Sequence, residues 1–239
     1  MISMETALLI HNNIIYLAVP VVLAFTFYYA PRYHYGKMAT FAYYVILEIL
    51  IIMVNNLTKR LGDAVGLDLA YQSARAFLFI PLLTLLAWPI WKIKPLHGAD
   101  YLTPAVFFIR GIVLIGCAVL GCSNGIPCSW GTPCPNFGYR IFPIDLIDAV
   151  ATLIIGVFSV RLAKRWHYQA HGCVFAAAMI SLGLVRFCLQ LGNRDYWWIR
   201  GFNEDSVYSI IAIIIGLYIL KTNYALSIES NNPFQNGGE

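Results

Sequence analysis

Four ionisable residues stand inside or at the edge of long apolar runs: Glu48, Arg110, Asp148 and Arg186. A fifth, Asp145, stands three residues before Asp148. A charge at the centre of a bilayer costs ~3 kcal/mol on insertion scales, so it faces a partner or a polar cavity. Two arginines among carboxylates suggest a chamber for a charged lipid headgroup, because the planar guanidinium fork fits two phosphate oxygens. The same residues also read as structural ion pairs, for example Glu48 with Arg110. Asp145 and Asp148 share one face at the start of a helix, at the positive end of its dipole. Capping accounts for one of them. Two, beside Arg140 and a cysteine-rich loop, point to a polar site.

That loop, "GCAVLGCSNGIPCSWGTPCP", runs from Gly116 to Pro135. Cys122, Cys128 and Cys134 repeat as C-x5-C-x5-C. Zinc sites use tighter pairs, so no metal site is expected, and no cofactor. His167 and His171 have helical spacing but lie in a basic flank, which suits headgroup contacts better than metal ligation. A bridge between Cys128 and Cys134 across "SWGTP" is one reading of the loop. A thiol relay would need a C-x-x-C pair, which is absent. Cys117, Cys173 and Cys188 lie in apolar context and read as buried packing residues. Gly116 and Gly121 would let a helix or lipid approach closely, and Gly125 would supply a turn where the helix stops. Trp130 and Tyr139 suit the aromatic belt of a membrane interface. The segment reads as a glycine-lined helix end followed by a rigid re-entrant loop.

The elements that would position these residues follow from composition. Of 239 residues, 59% are hydrophobic and 12% charged, against about 25% charged in soluble domains. Mean hydropathy is +0.68. Seven apolar segments approach the ~20 residues a spanning helix needs: Asn13–Tyr29, Ala39–Val54, Arg75–Trp91, Thr103–Gly121, Pro143–Leu162, Gly172–Leu191 and Ser206–Leu220. Backbone in lipid must satisfy its own hydrogen bonds, and runs of this length suit helices rather than strands. The expected architecture is all-α: a polytopic membrane protein with about seven transmembrane helices. Residues 1–225 form one domain and 226–239 a polar tail.

The N-terminal "MISMETALLIHNN" has no basic region, so a cleaved signal peptide is not expected. Arg32, Lys37, Lys92, Lys94, Arg161, Lys164, Arg165 and Lys221 would fall on one side of the membrane. Lys59, Arg60, Arg75, Arg140, Arg194 and Arg200 would fall on the other. The richer side is cytoplasmic by the positive-inside rule, which places the N-terminus outside and the C-terminus inside. The net charge of +4 then reflects these flanks. No basic stripe or stacking platform suggests a nucleic-acid partner.

The order of motifs carries a family resemblance. "ADYLTPAVFFIRGIVLIGCAVLGCSNGIPCSWG", "RIFPIDLIDAV" and "GLVRFCLQLGNRD" together resemble the prolipoprotein diacylglyceryl transferase family, over about Ala99 to Leu220. Gly116 and Cys117 fall on the Gly-Asn/Cys of its Gly-Arg-x-Gly-Asn/Cys-Phe signature. Gly121 and Gly125 fall on later glycines, and Trp130 and Gly131 on a Trp-Gly pair. Pro143, Leu146 and Asp148 match a His-Pro-(Thr/Ser)-Gln-Leu-Tyr-Glu helix start, with Asp145 where Gln is usual. Gly183, Arg186 and Phe187 match a Gly-x-x-Arg-Phe segment. Leu114 replaces the signature arginine, Phe142 the helix-start histidine, Ile147 its tyrosine and Gln190 a later glutamate. No His-Gly-Gly segment is found before the fourth span. Arg110 lies one helical turn before Leu114 and would present its guanidinium on the same face.

The resemblance implies seven spans, an outside N-terminus and a bacterial cytoplasmic (inner) membrane. The implied reaction moves diacylglyceryl from a phosphatidylglycerol-like phospholipid to the lipobox cysteine of a preprolipoprotein. Arg186 and Arg110 would then meet the leaving phosphate. Asp148, Asp145 and Glu48 would be candidates for the base near the thiol. Gly116, Gly121, Gly125, Trp130, Gly131 and Arg140 would border the substrate. Two other readings stand beside it: a relative that binds phospholipid without transfer, and a membrane thiol redox protein using the Cys122–Cys134 loop.

Overall fold

The computed structural model describes residues 3–33, 94–123, 125–133, 138–168, 170–193 and 204–229, with a few isolated positions between residues 36 and 85. Helix α1 is Met4–Ile14, and α2, Ala18–Tyr29, continues it after a 3-10 turn at Ile15–Leu17. Then come α3 (Pro95–Leu120), α4 (Ile144–Arg165), α5 (Cys173–Gln190) and α6 (Glu204–Glu229). Five stretches among the described residues are long and apolar enough to cross a bilayer: Met4–Phe25, Pro95–Leu120, Ile144–Arg165, Cys173–Gln190 and Ser206–Tyr224. The protein is therefore an all-α, polytopic membrane protein. The spans expected over Ala39–Val54 and Arg75–Trp91 fall almost entirely outside the described residues, and Glu48 and Cys134 lie outside them too.

Three boundaries differ from the hydropathy reading: the start of the first helix, the start of α3 at Pro95 rather than Thr103, and the end of α6. The first helix begins at Met4 rather than Asn13. The Ser3 hydroxyl accepts the Thr6 N–H at 3.2 Å, an N-cap that starts the helix early. Asn13 donates its side-chain amide to the Leu9 carbonyl at 2.7 Å, so its polarity is satisfied inside the helix. At the other end, α6 continues to Glu229, past residue 225.

Helix α4 shows how such a bundle is built. Asp145, Asp148, Thr152 and Ser159 are buried, whereas Val150, Ile154, Val157 and Phe158 are exposed. Asp145, Asp148 and Thr152 follow at three-to-four spacing and Ser159 lies seven residues further on, so the polar residues line one face with apolar residues outward. A water-soluble helix has the reverse arrangement. The inner face packs on α3, where Gly111 lets the helices approach: a Cβ there would lie 2.7 Å from Leu153 Cδ2. Helices α5 and α6 use a reciprocal pair. A Cβ on Gly183 would lie 2.7 Å from the Ser209 carbonyl oxygen, and one on Gly216 2.8 Å from that of Ala176. Small residues at such crossings bring backbones together where lipid supplies no hydrophobic drive.

One end of the bundle is held by an aromatic cluster and a buried acid. Tyr33 makes edge contacts with His97, Tyr101 and Tyr168, each at 5.2 Å between ring centroids. Asp100, fully buried, accepts the backbone N–H groups of Gly172 at 2.6 Å and Phe175 at 2.9 Å. It thereby caps the start of α5 from α3, satisfying donors that a helix leaves open. His167 and His171 lie here, beyond the end of α4, with φ of 47° and 49°. They therefore do not form the helical i, i+4 pair their spacing suggests.

The opposite end carries the glycine- and cysteine-rich segment. It forms a small antiparallel hairpin rather than a plain loop: β1 (Pro127–Pro133) pairs with β2 (Arg140–Ile141) across a bulge. The roles expected of two glycines are exchanged. Gly121 ends α3 in the left-handed conformation, φ 75°, and its N–H bonds the Cys117 carbonyl at 2.7 Å. Gly125 instead permits close approach, since a Cβ there would lie 2.4 Å from the Phe142 carbonyl oxygen. Of the apolar-context cysteines only Cys173 is buried; Cys117 is half-buried and Cys188 exposed.

Candidate functional site

Three of the sequence-selected residues meet in the interior. Arg110 of α3 donates from Nη1 to Asp148 Oδ1 at 2.9 Å and from Nη2 to Asp148 Oδ2 at 2.6 Å. Arg186 of α5 donates from Nη1 to the same Oδ2 at 2.8 Å. Thr152, one turn after Asp148, accepts from Arg110 Nη1 and donates to Asp148 Oδ1 at 3.2 Å. Asp148 and Thr152 are 0% exposed, Arg110 6% and Arg186 7%. Two guanidinium groups around one carboxylate leave a net charge of +1 on this set.

Each side chain reaches this point for a local reason. Asp148 is the fifth residue of α4, about 6 Å along the axis from its start. Arg186 lies in the second-last turn of α5, and the missing side chain of Gly111 lets Arg110 close on α4. Arg110 and Leu114 are both on the buried face of α3, one turn apart. Arg110 thus takes the inward direction on the helix where Leu114 replaces the expected arginine.

Asp145 lies one turn nearer the hairpin. Its Oδ2 accepts the Ser123 backbone N–H at 3.0 Å and its Oδ1 accepts the Ser123 hydroxyl at 2.5 Å. Gly121, Ser123, Thr132, Phe142, Asp145 and Leu146 line a cleft between the end of α3 and the start of α4. Arg140 and Trp130 do not join the arginine cluster. Arg140 donates to the Gly131 carbonyl at 3.1 Å and ties the hairpin together. Trp130, 65% exposed, packs edge-on against Phe142 at 5.5 Å. Gly131 cannot carry a side chain, because a Cβ would lie 1.9 Å from the Ile141 carbonyl oxygen. Gly116 faces α1, 2.7 Å from Ile14 by the same measure.

Sequence reasoning passed over Thr152 and Ser123. Thr152 was visible as the residue four after Asp148, on the same helical face. Ser123 had no such signal, since its contact depends on the turn after α3. Asp100 stood among the polar flanks and carried no hint that it caps another helix.

The fold and this site define a polytopic helical membrane protein with an arginine pair buried on one carboxylate. The family model described as prolipoprotein diacylglyceryl transferase matches residues 69–222, more than half of the sequence, and the chain belongs to that family. Membership places it among the membrane transferases of lipoprotein biosynthesis, which handle lipid and lipoprotein substrates. No curated protein and no solved structure matches the chain.

Proposed function

We propose that the protein transfers a diacylglyceryl group from a phosphatidylglycerol-like phospholipid to the lipobox cysteine of a preprolipoprotein, in a bacterial cytoplasmic membrane. The observation that carries this reading is the convergence of Arg110 and Arg186 on Asp148 within the region matched by the family. In the reaction the acceptor sulfur forms a bond to the terminal glycerol carbon of the lipid. The bond from that carbon to the phosphate oxygen breaks, and glycerol phosphate leaves with the electron pair. Arg110 and Arg186 stabilise the departing phosphate, where charge accumulates. Aligned donors at such a position are worth ~3–4 kcal/mol each.

Asp148 serves as the counter-ion that holds both guanidinium groups in place, since its two oxygens are already engaged. Asp145 is the group placed to take the thiol proton, because it lines the cleft and, among the described residues, its carboxylate is held by Ser123. The hairpin with Trp130, Gly131 and Arg140 borders the headgroup. The orientation with N-terminus outside would put this cleft on the outer side of the membrane, where translocated preprolipoproteins arrive.

The deciding experiment is complementation of bacterial cells depleted of their own diacylglyceryl transferase. Thioether-linked lipid on a reporter lipoprotein is the expected result, detected by mass spectrometry. No such product from protein shown to be inserted would refute transfer. Phospholipid retained in native mass spectra, with no product, would instead identify a lipid-binding relative.

A further inference from the structure

We propose that His11, Cys117 and Cys122 form a binding site for a thiophilic metal ion of the zinc class. The His11 ring nitrogen and the two sulfurs all lie within 4.8 Å of one another. Ligand atoms around tetrahedral zinc stand roughly 3.5–4 Å apart, given bonds of ~2.0 Å to nitrogen and ~2.3 Å to sulfur. Small rotamer changes close the difference. The C-x5-C-x5-C repeat that argued against a metal is not the relevant set. The trio draws one ligand from α1, one from the last turn of α3 and one from just beyond it; the two cysteines stand as C-x4-C, within the spacing zinc pairs use, and only the fold adds the histidine.

Three features assemble it. Gly116 lets α1 lie against the end of α3, where a Cβ would stand 2.7 Å from Ile14 Cγ2 and 3.6 Å from His11 Nδ1. The left-handed Gly121 folds the chain back, so that Gly121 and Cys122 both donate their N–H groups to the Cys117 carbonyl, at 2.7 and 3.1 Å. This return brings Cys122 beside Cys117. Third, His11 Nδ1 is shut off from solvent and has no hydrogen-bond partner. A buried ring nitrogen without a partner is costly, and a metal ion would satisfy it.

The donor set selects the metal. Two thiolates and an imidazole suit zinc or cuprous copper and disfavour magnesium and calcium. Binding a divalent ion releases the two thiol protons to solvent as both sulfurs bond the metal, with no change of oxidation state. Cys122 is exposed, so a fourth position opens outward, as in three-ligand sites that keep a place for water or a substrate atom.

The test uses the full chain, reduced, in detergent, titrated with cobalt(II) and then zinc. One equivalent of cobalt should give tetrahedral d–d bands and a sulfur-to-cobalt charge-transfer band, which one equivalent of zinc abolishes. His11→Ala, Cys117→Ser and Cys122→Ser should each weaken binding by about tenfold or more. Cys128→Ser and Cys188→Ser should leave it unchanged. Gly116→Ala keeps all three ligands but pushes α1 away, and should weaken binding as well. Gel filtration and thermal melts establish that each variant is folded. The proposal is overturned if cobalt bands are absent, if they survive all three ligand variants, or if Cys117 and Cys122 join as a disulfide that persists in reductant and zinc.

Discussion

Arg110 and Asp148 meet across the α3–α4 interface through two hydrogen bonds, one to each carboxylate oxygen, at 2.9 and 2.6 Å. They are 38 residues apart in the chain, and Arg186 adds a third bond to the same carboxylate from α5. One acid therefore links three membrane helices and serves as counter-ion to both arginines. Removing one partner from a buried pair costs more than the pair contributes, because the charge left behind is uncompensated.

Asp148→Asn keeps the shape and removes that counter-charge. It should destabilise the protein by ~3–5 kcal/mol, as for other broken buried pairs. The measurement is thermal unfolding in detergent, compared with Asp148→Glu. An unchanged melting temperature would contradict the counter-ion role.

Arg110→Lys keeps the charge and loses the fork. Lysine cannot bond both oxygens of Asp148 in the guanidinium geometry and also reach Thr152. Transfer should fall by about tenfold or more while the protein still inserts. Arg186→Ala should fall further, by ~100–1000-fold, if it meets the leaving phosphate. A reporter lipoprotein assay in nanodiscs reads both. If Arg186→Ala left transfer intact, the phosphate role would fail whatever its effect on stability.

Gly111→Ala tests how Arg110 is delivered. The new methyl would stand 2.7 Å from Leu153 Cδ2, the end of a flexible side chain, and 3.3 Å from the Ala149 carbonyl oxygen. Overpacking of this kind costs ~1–3 kcal/mol. Leu153→Ala in the same chain should recover part of the loss, a coupling that a double-mutant cycle measures. Additive effects would mean that the two residues do not compete for the same space.

The helices around this site were legible because hydropathy is a property of each segment. The fourth, fifth and sixth expected spans match α3, α4 and α5 to within a few residues except at the start of α3, which begins at Pro95. Arg110, Asp148 and Arg186 were legible as a set because charge inside an apolar run needs a partner. Arg110 pairs with Asp148, while Glu48, the partner suggested for it by the sequence, lies outside the described residues. The hairpin was not legible, because its seven-residue strand is rich in proline and glycine and pairs only through a bulge. Gly121 and Gly125 exchange roles for a similar reason: a glycine shows freedom, and only its neighbours decide whether that freedom serves φ or proximity. The trio of His11, Cys117 and Cys122 depends on a contact between α1 and α3 that no local pattern encodes.

Gly131→Ala should dismantle the hairpin. Its Cβ would fall 1.9 Å from the backbone oxygen of Ile141, and no side chain can move aside to relieve the clash. Helical content by circular dichroism should be retained, since the spans do not depend on this strand. Labelling of Cys128, which lies on β1, should become faster. Unaltered labelling would show that the backbone tolerates the methyl group.

Asp100→Ala tests the other end of the bundle. Asp100 holds the N–H groups of Gly172 and Phe175 from inside the protein, so its loss leaves two donors that water cannot reach. Each unsatisfied donor costs ~1–3 kcal/mol, making this substitution as harmful to stability as one at Asp148. The functional outcome should differ, because Asp100 acts on the start of α5, whereas Arg186 lies in its second-last turn. At a temperature where the variant is still folded, transfer should be near normal, while hydrogen exchange at residues 172–175 should rise. A variant that melts normally, with exchange unchanged there, would remove Asp100 as the clamp between α3 and α5.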